Sequence, residues 1–392
     1  MTRTIVAGMT PLVNRTQGSA PSVIISGTIA GTPWQGGATW AVLQYVLGLR
    51  RLGCDVHFIE PIDALDGPSP AAVRYCSEVM ERFGLDGCWA LVPPRGDPIG
   101  MSQQAIRVVA RDCDVLLNVS GLLRCPDLLD RVQIRAYLDL DPAFAQLWHE
   151  AEGVDMHLDA HTHFVSVADA IGRSDCPIPT CGRKWLPTLP PVVLDHWPVA
   201  TRVEHRSATT VGHWRSYGPI LYKGVQYGQK AHSLRPLIDL PRRTPTRFAL
   251  ALAIHPDETG DLAALRQNGW TLLDPATVAS TADRYLRFVQ GSWAEFGLAK
   301  SGYVVAGSGW FSDRSACYLA SGRPVIAQDT GFGRRLPTGA GLFAFSTAED
   351  VVAAFAELER DYDRHRVAAR ALAVEYLDSD RVLASLLERL CR

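Results

Sequence analysis

The chain has 392 residues, 47% hydrophobic and 20% charged, with 39 Lys and Arg against 41 Asp and Glu. Such a composition excludes coiled-coil, collagen-like and disordered classes, and the balanced charge leaves no basic excess for wrapping nucleic acid. Mean hydropathy is +0.01 and no apolar run reaches the ~20 residues of a membrane span.

Met1 to Ala20 are polar and broken by Pro11 and Gly18. They lack the apolar stretch of a secretory signal and read as an extension. The nine cysteines are odd in number and contain no Cys-x-x-Cys, so free thiols and a cytoplasmic location are expected. Ser22–Ser26 reads as a strand, Gly27 to Gly37 as a glycine-rich turn, Ala38–Leu52 as a helix stopped by Gly53, and Asp55–Glu60 as a strand. Strand, turn, helix and strand make a βαβ unit and imply a parallel sheet. Asp114–Asn118, Ile134–Leu138 and Phe164–Val167 are further strands. Pro177 to Pro198, with six prolines, suits a crossing between halves better than an element interior.

A second half begins at the strand Thr209–His213. It continues with the helix Ala231–Leu240, the strand Phe248–Ala253, the helix Asp261–Asn268, and strands at Trp270–Asp274 and Tyr303–Val305. The helix Asp313–Ser321, the strand Pro324–Ala327, the helix Thr347–Glu359 and a helical region Arg364–Leu390 complete it. The expected fold is α/β: two Rossmann-like domains facing a central cleft. An extension covers residues 1–21, the two domains cover 22–203 and 204–377, and a helix in 378–392 returns to the first.

The turn Gly27-x-x-x-Gly31 after a strand, with Glu60 ending the next one, invites a dinucleotide-binding reading. It lacks the three-glycine spacing of that motif. The turn therefore either only reverses the chain or lines the cleft. The densest signal lies from Ser292 to Phe332. A small-residue loop through Ser308 and Gly309 leads past Trp310 to Ser312, an N-cap for the helix beginning at Asp313. A helix N-terminus suits a diphosphate. Arg314 and the hydroxyls of Ser312 and Ser315 are positioned to add contacts, with Gln328-Asp329 beside the attached group.

The run Ala320-Ser-Gly-Arg-Pro-Val-Ile-Ala-Gln-Asp-Thr-Gly331 resembles the donor-site signature of nucleotide-sugar glycosyltransferases of the GT-B fold. Gly36-Gly37 before the first helix and Val211-Gly-His-Trp214 opening the second half are similar to the same family. Cys317 stands where many members carry a ribose-binding Glu. The resemblance implies transfer of a sugar from a nucleotide-diphosphate sugar to a hydroxyl, or an amine, of a small molecule, without a required metal. It places the donor in the second half, against Gly212, His213, Arg215, Lys230 and the 308–315 and 328–329 positions. The acceptor belongs in the first half, near Gly36, Gly37 and Thr39. A nucleotide-sugar epimerase and a non-catalytic nucleotide-sugar-binding protein are the alternatives on the same fold.

Asp139-Leu-Asp141 ends a strand of the first half. Two carboxylates at i and i+2 could share a cation, but cleft-facing groups that take a proton from an attacking hydroxyl are preferred. His157, His161 and His163 have imperfect metal spacing. His161 and His163 compete with Asp141 for the role of base, and the expected catalytic set is Asp141, Asp139 and His163.

Overall fold

The computed structural model describes residues 20–62 and 67–392; the expected extension therefore lies almost wholly outside the described residues. Two parallel sheets organise the chain. The first contains β1 (Ser22–Ser26), β2 (Asp55–Pro61), β3 (Trp89–Val92), β4 (Ile99–Gly100), β5 (Val115–Val119), β6 (Ile134–Asp139), β7 (His163–Ser166) and β8 (Trp185–Pro187). Its order is β4-β3-β2-β1-β5-β6-β7-β8, parallel except where β3 meets β4. The central strands β1 and β5 are buried at every residue, as an apolar run covered on both faces must be. Helices α1 (Gly36–Arg51), α2 (Pro70–Arg82), α3 (Gln103–Asp112), α4 (Pro126–Leu129) and α5 (Phe144–Glu150) connect these strands. Ser69 and Ser102 cap α2 and α3 with their hydroxyls.

The second sheet contains β9 (His205–His213), β12 (Phe248–Ala253), β13 (Thr271–Leu272), β14 (Ser292–Gly297), β15 (Val325–Gln328) and β16 (Leu342–Phe345), after a hairpin of β10 (Ile220–Tyr222) and β11 (Val225–Tyr227). Its order is β13-β12-β9-β14-β15-β16, parallel throughout. Its helices are α6 (Lys230–Leu234), α7 (Thr259–Gln267), α8 (Pro275–Val278), α9 (Ala282–Gly291), α10 (Ser301–Val305), α11 (Asp313–Ala320), α12 (Ala348–Arg360) and α13 (Tyr362–Leu372), and α14 (Ser379–Leu390) follows them. Strand β9 sits between β12 and β14, so the chain reverses its direction of travel across the sheet there. Such a reversal opens a ligand crevice at the carboxyl ends of the strands. Among the described residues no helix is long and apolar enough to cross a membrane.

Three expectations are corrected. Tyr303–Val305 is helical, within α10, and the strand is Ser292–Gly297. The proline-rich stretch contributes an edge strand, with Pro187 paired to Ser166; proline is tolerated there because an edge leaves one side of the backbone without ladder partners. The helix expected over Ala231–Leu240 stops at Leu234 and continues as 3₁₀ turns that contain Pro236 and Pro241, since neither proline can donate the helical N–H.

The halves are packed together. Gly36 donates its N–H to Ala279 O at 2.9 Å, and Trp40 Nε1 donates to Ala282 O at 2.9 Å. A side chain at Gly37 would strike Tyr285. Val192 is hydrogen-bonded to Leu377 O and by Ser379 N, so the two crossings run side by side. Helix α14 then lies on α1, where a Cβ at Gly48 would stand 2.5 Å from Leu383 Cδ1.

Candidate active site

The carboxyl edge of the second sheet gathers cations. Strand β9 ends at Gly212-His213, and the backbone of Gly212 (φ +150°) passes so close to Lys230 and Arg314 that a Cβ there would lie 3.6 Å from Lys230 Nζ and 3.9 Å from Arg314 Nη1. Among the described residues the Lys230 ammonium has no hydrogen-bond or ion-pair partner. Burial, with Arg314 and Lys300 nearby, pulls its pKa down to about 7. His213 is likewise held below its ordinary value by desolvation and by the ammonium groups of Lys230 and Lys300. Asp141 and Asp313 offset part of this at Lys230; a desolvated cation without an ion-pair partner is costly, and an anion relieves it.

Arg314 is not free to meet a ligand. Its Nε donates to Glu295 Oε1 at 2.5 Å, Nη1 to Val211 O at 3.2 Å and Nη2 to Leu298 O at 3.4 Å. The guanidinium is thus a strut tying the ends of β9 and β14 to the first turn of α11. Its donors are taken up within the protein, against the direct phosphate contact expected of it. Ser312 does cap α11, accepting from Arg314 N at 3.2 Å; that leaves its hydroxyl engaged, and Ser315 is buried. Asp313 opens the helix, half-buried. Arg215 pairs with Glu258, 2.6 Å away, and reaches toward Asp261, so its charge is answered locally and its expected donor role is not supported.

The loop before α11 faces the first half. Ser308 O accepts from Ala170 N at 3.1 Å. Gly309 (φ +74°) lies directly on Asp169: a Cβ would fall 1.7 Å from Asp169 Oδ1, so only glycine fits. Asp169 in turn pairs with Arg334 at 2.9 Å. Trp310 packs on Tyr303 with centroids 4.5 Å apart. Gln328 Oε1 accepts from Ala299 N at 3.3 Å and Asp329 Oδ1 from Gly331 N at 2.7 Å, which shapes the loop past β15.

From the first half, only one of the three expected catalytic residues enters this region. Asp141 accepts from Lys300 Nζ at 2.8 Å and 2.7 Å, from Tyr217 OH at 2.6 Å, and from Tyr303 OH. All three donors belong to the second half. Asp139 is fully buried and accepts from Gln146, Ser166 and the Asp141 backbone, each at 2.9 Å. Burial pushes its pKa up to about 6 against those hydrogen bonds. Asp139 is thus enclosed and holds the Asp141 backbone. His163 begins β7, opposite Ala136, whereas Asp139 pairs with Ser166 at the far end. Three residues of strand put roughly 10 Å between these edges, so His163 lies on the amino side of the sheet, away from Asp141. His161 is buried against Asn118 and His157 O.

Gly36, Gly37 and Thr39 were expected to line an acceptor site. Instead they carry contacts: Gly36 and Gly37 against the segment around α8 and α9, and Thr39, fully buried, to Tyr75 OH at 2.7 Å. Glu60 is likewise engaged within the chain. Its carboxylate accepts from the N–H groups of Ile29, Ala30 and Gly31 at 2.6–2.9 Å and from Thr28 Oγ1 at 3.1 Å, which fastens the first glycine-rich turn. Trp34, 42% exposed, protrudes just beyond that turn against Tyr75.

Four site residues escaped the sequence: Lys300, Tyr217, Tyr303 and Glu295. Reading Ser292–Gly297 as the strand would have put Lys300 just past its carboxyl end. Among the described residues no group of three or more His, Cys, Asp or Glu is placed to hold a metal ion.

No protein-family model and no curated protein matches the chain. Solved structures do. An α-glucosyltransferase in complex with UDP and a 13-mer DNA is 12% identical over 95% of this chain and 100% of that chain, with a TM-score of 0.60. Alr3699/HepE of Anabaena, bound to UDP and glucose, is 12% identical over 94% and 98%, at 0.58. AviGT4, a glycosyltransferase involved in avilamycin A biosynthesis, is 13% identical over 95% and 97%, at 0.55. The chain has the two-sheet fold of these enzymes across nearly its whole length.

Proposed function

We propose that this chain is a glycosyltransferase that moves a sugar from a nucleoside-diphosphate donor to a hydroxyl, or an amine, of a small molecule. The unpaired, desolvated ammonium of Lys230 at the carboxyl edge of the second sheet carries the reading. Residues 204–377 take the donor and residues 22–203 the acceptor, with 378–392 bracing the first half. The diphosphate lies on Lys230, His213 and the first turn of α11, above the Arg314–Glu295 strut. Asp141 takes the proton of the attacking group as the bond from the sugar's anomeric carbon to the diphosphate breaks and a new one to the acceptor forms. In this scheme side-chain cations meet the phosphate charge, with no metal ion taking part. The match in fold to enzymes whose structures hold UDP makes UDP-sugars the first donors to try.

The test is a screen of nucleotide sugars with hydroxylated acceptors, read by mass spectrometry. Glycosylated product with release of the nucleoside diphosphate is the expected result. An isomerised donor would point instead to an epimerase, and saturable binding without turnover to a non-catalytic binding protein.

A further inference from the structure

An ionised carboxylate offers about four lone-pair positions, and all four of Asp141 are filled. One oxygen accepts from Lys300 and Tyr303, the other from Lys300 and Tyr217. The Lys300 ammonium also donates to Tyr217 OH at 2.6 Å and lies 4.5–5.5 Å from the ring centroids of Tyr217, Phe144 and Tyr303. In this arrangement Asp141 has no position aimed at an attacking hydroxyl. Lys230, whose charge is disfavoured by Lys300 and favoured by Asp141 and Asp313, pairs with neither carboxylate among the described residues.

We propose that Lys300 is exchanged between two anions, held by Asp141 in the free enzyme and drawn to the diphosphate when the donor binds. The exchange vacates two acceptor positions on Asp141, which retains its tyrosine hydroxyls and becomes able to receive the acceptor's proton. Donor therefore precedes acceptor, and the base is blocked until the sugar is in place. This inference rests on the donor site proposed above.

Isothermal titration with UDP and with uridine separates the possibilities. Asp141→Asn removes the competing charge. It should tighten UDP binding by about 10-fold, the low end of a charge-assisted hydrogen bond converted at 1.4 kcal/mol per decade, with uridine unchanged. Lys300→Gln should weaken UDP by about 10- to 100-fold, again with uridine unchanged. A merely structural pair predicts that both variants weaken UDP or neither alters it. If a folded Asp141→Asn protein binds UDP no more tightly than wild type, the exchange is overturned. Should that variant fail to fold, an unchanged UDP affinity in Lys300→Gln overturns it equally. Wild type that binds no nucleoside diphosphate at all would instead remove the donor site itself.

Discussion

The two halves share an architecture and differ in how the charges at their carboxyl edges are answered. In the first, the carboxylates of Glu60 and Asp139 are met from within, by backbone N–H groups, hydroxyls and an amide. In the second, Lys230 makes no ion pair among the described residues, Lys300 relies on Asp141 of the other half, and Arg314 and Arg215 have local partners in Glu295 and Glu258. Two sheets of the same kind thus tell nothing about which one takes an anion. The unpaired ammonium of Lys230 is what the proposed donor site rests on.

The contrast can be broken most severely at Glu295. Glu295→Gln leaves the buried Arg314 guanidinium without its counter-charge, and the loss expected on breaking such a pair from one side is about 3–5 kcal/mol. Urea unfolding measures it. A loss below about 1 kcal/mol would mean that the strut does not hold the edge together.

Next comes Lys230→Met, which should lower UDP affinity by about 10- to 100-fold while sparing uridine, because only the diphosphate carries the contacted charge. The pH dependence follows with a definite sign. With its pKa at about 7, Lys230 loses its proton as pH rises above 7, so wild-type UDP affinity should fall between about pH 7 and 9, where the terminal phosphate, with its second pKa of about 6, is already ionised. A flat profile, or one that survives in Lys230→Met, assigns the charge elsewhere.

Glu60→Gln probes the answered edge. It removes a carboxylate from four donors and should cost about 1–3 kcal/mol of stability with UDP affinity unaltered. A fall in UDP affinity equal to that of Lys230→Met would erase the distinction between the halves. Asp139→Asn probes the same edge through its pH dependence. Because the folded state raises this pKa from 3.8 to about 6, the folded protein holds the proton more tightly than the unfolded chain. Wild type should therefore lose stability relative to the variant as pH rises from about 4 to about 6. Parallel stability curves would show that Asp139 is not the group titrating there.

The fold was legible where sequence and burial agree. An unbroken apolar run at Ser22–Ser26 and glycine at Gly53 mark the first βαβ unit, and Ser312 marks the start of α11. The helix, glycine and strand of the 313–328 segment were legible because they are local signals. What stayed hidden is long-range. Strand β14 carries Glu295 in its interior, which spoils an apolar pattern until its partner Arg314, 19 positions later, is known. Tyr303-Val-Val305 looks like a strand by composition, yet only its place between Lys300 and the loop at Ser308 makes it a helix. The surroundings of Asp141 include Lys300, 159 positions away. Asp139 and His163 carry the right chemistry for a base, and only burial and strand register remove them.

The packing of α14 onto α1 has a consequence for how the molecule comes into being. The outer face of α1, around Gly48, is covered by residues that follow the entire second sheet in the chain. As the chain leaves the ribosome, domains ordinarily fold in order, the N-terminal one first. Here the first half emerges with one helix bare and keeps that apolar flank exposed until the second half has been synthesised and α14 has followed. A nascent chain stalled before Ser379 should therefore present a protected second sheet beside a protease-sensitive α1.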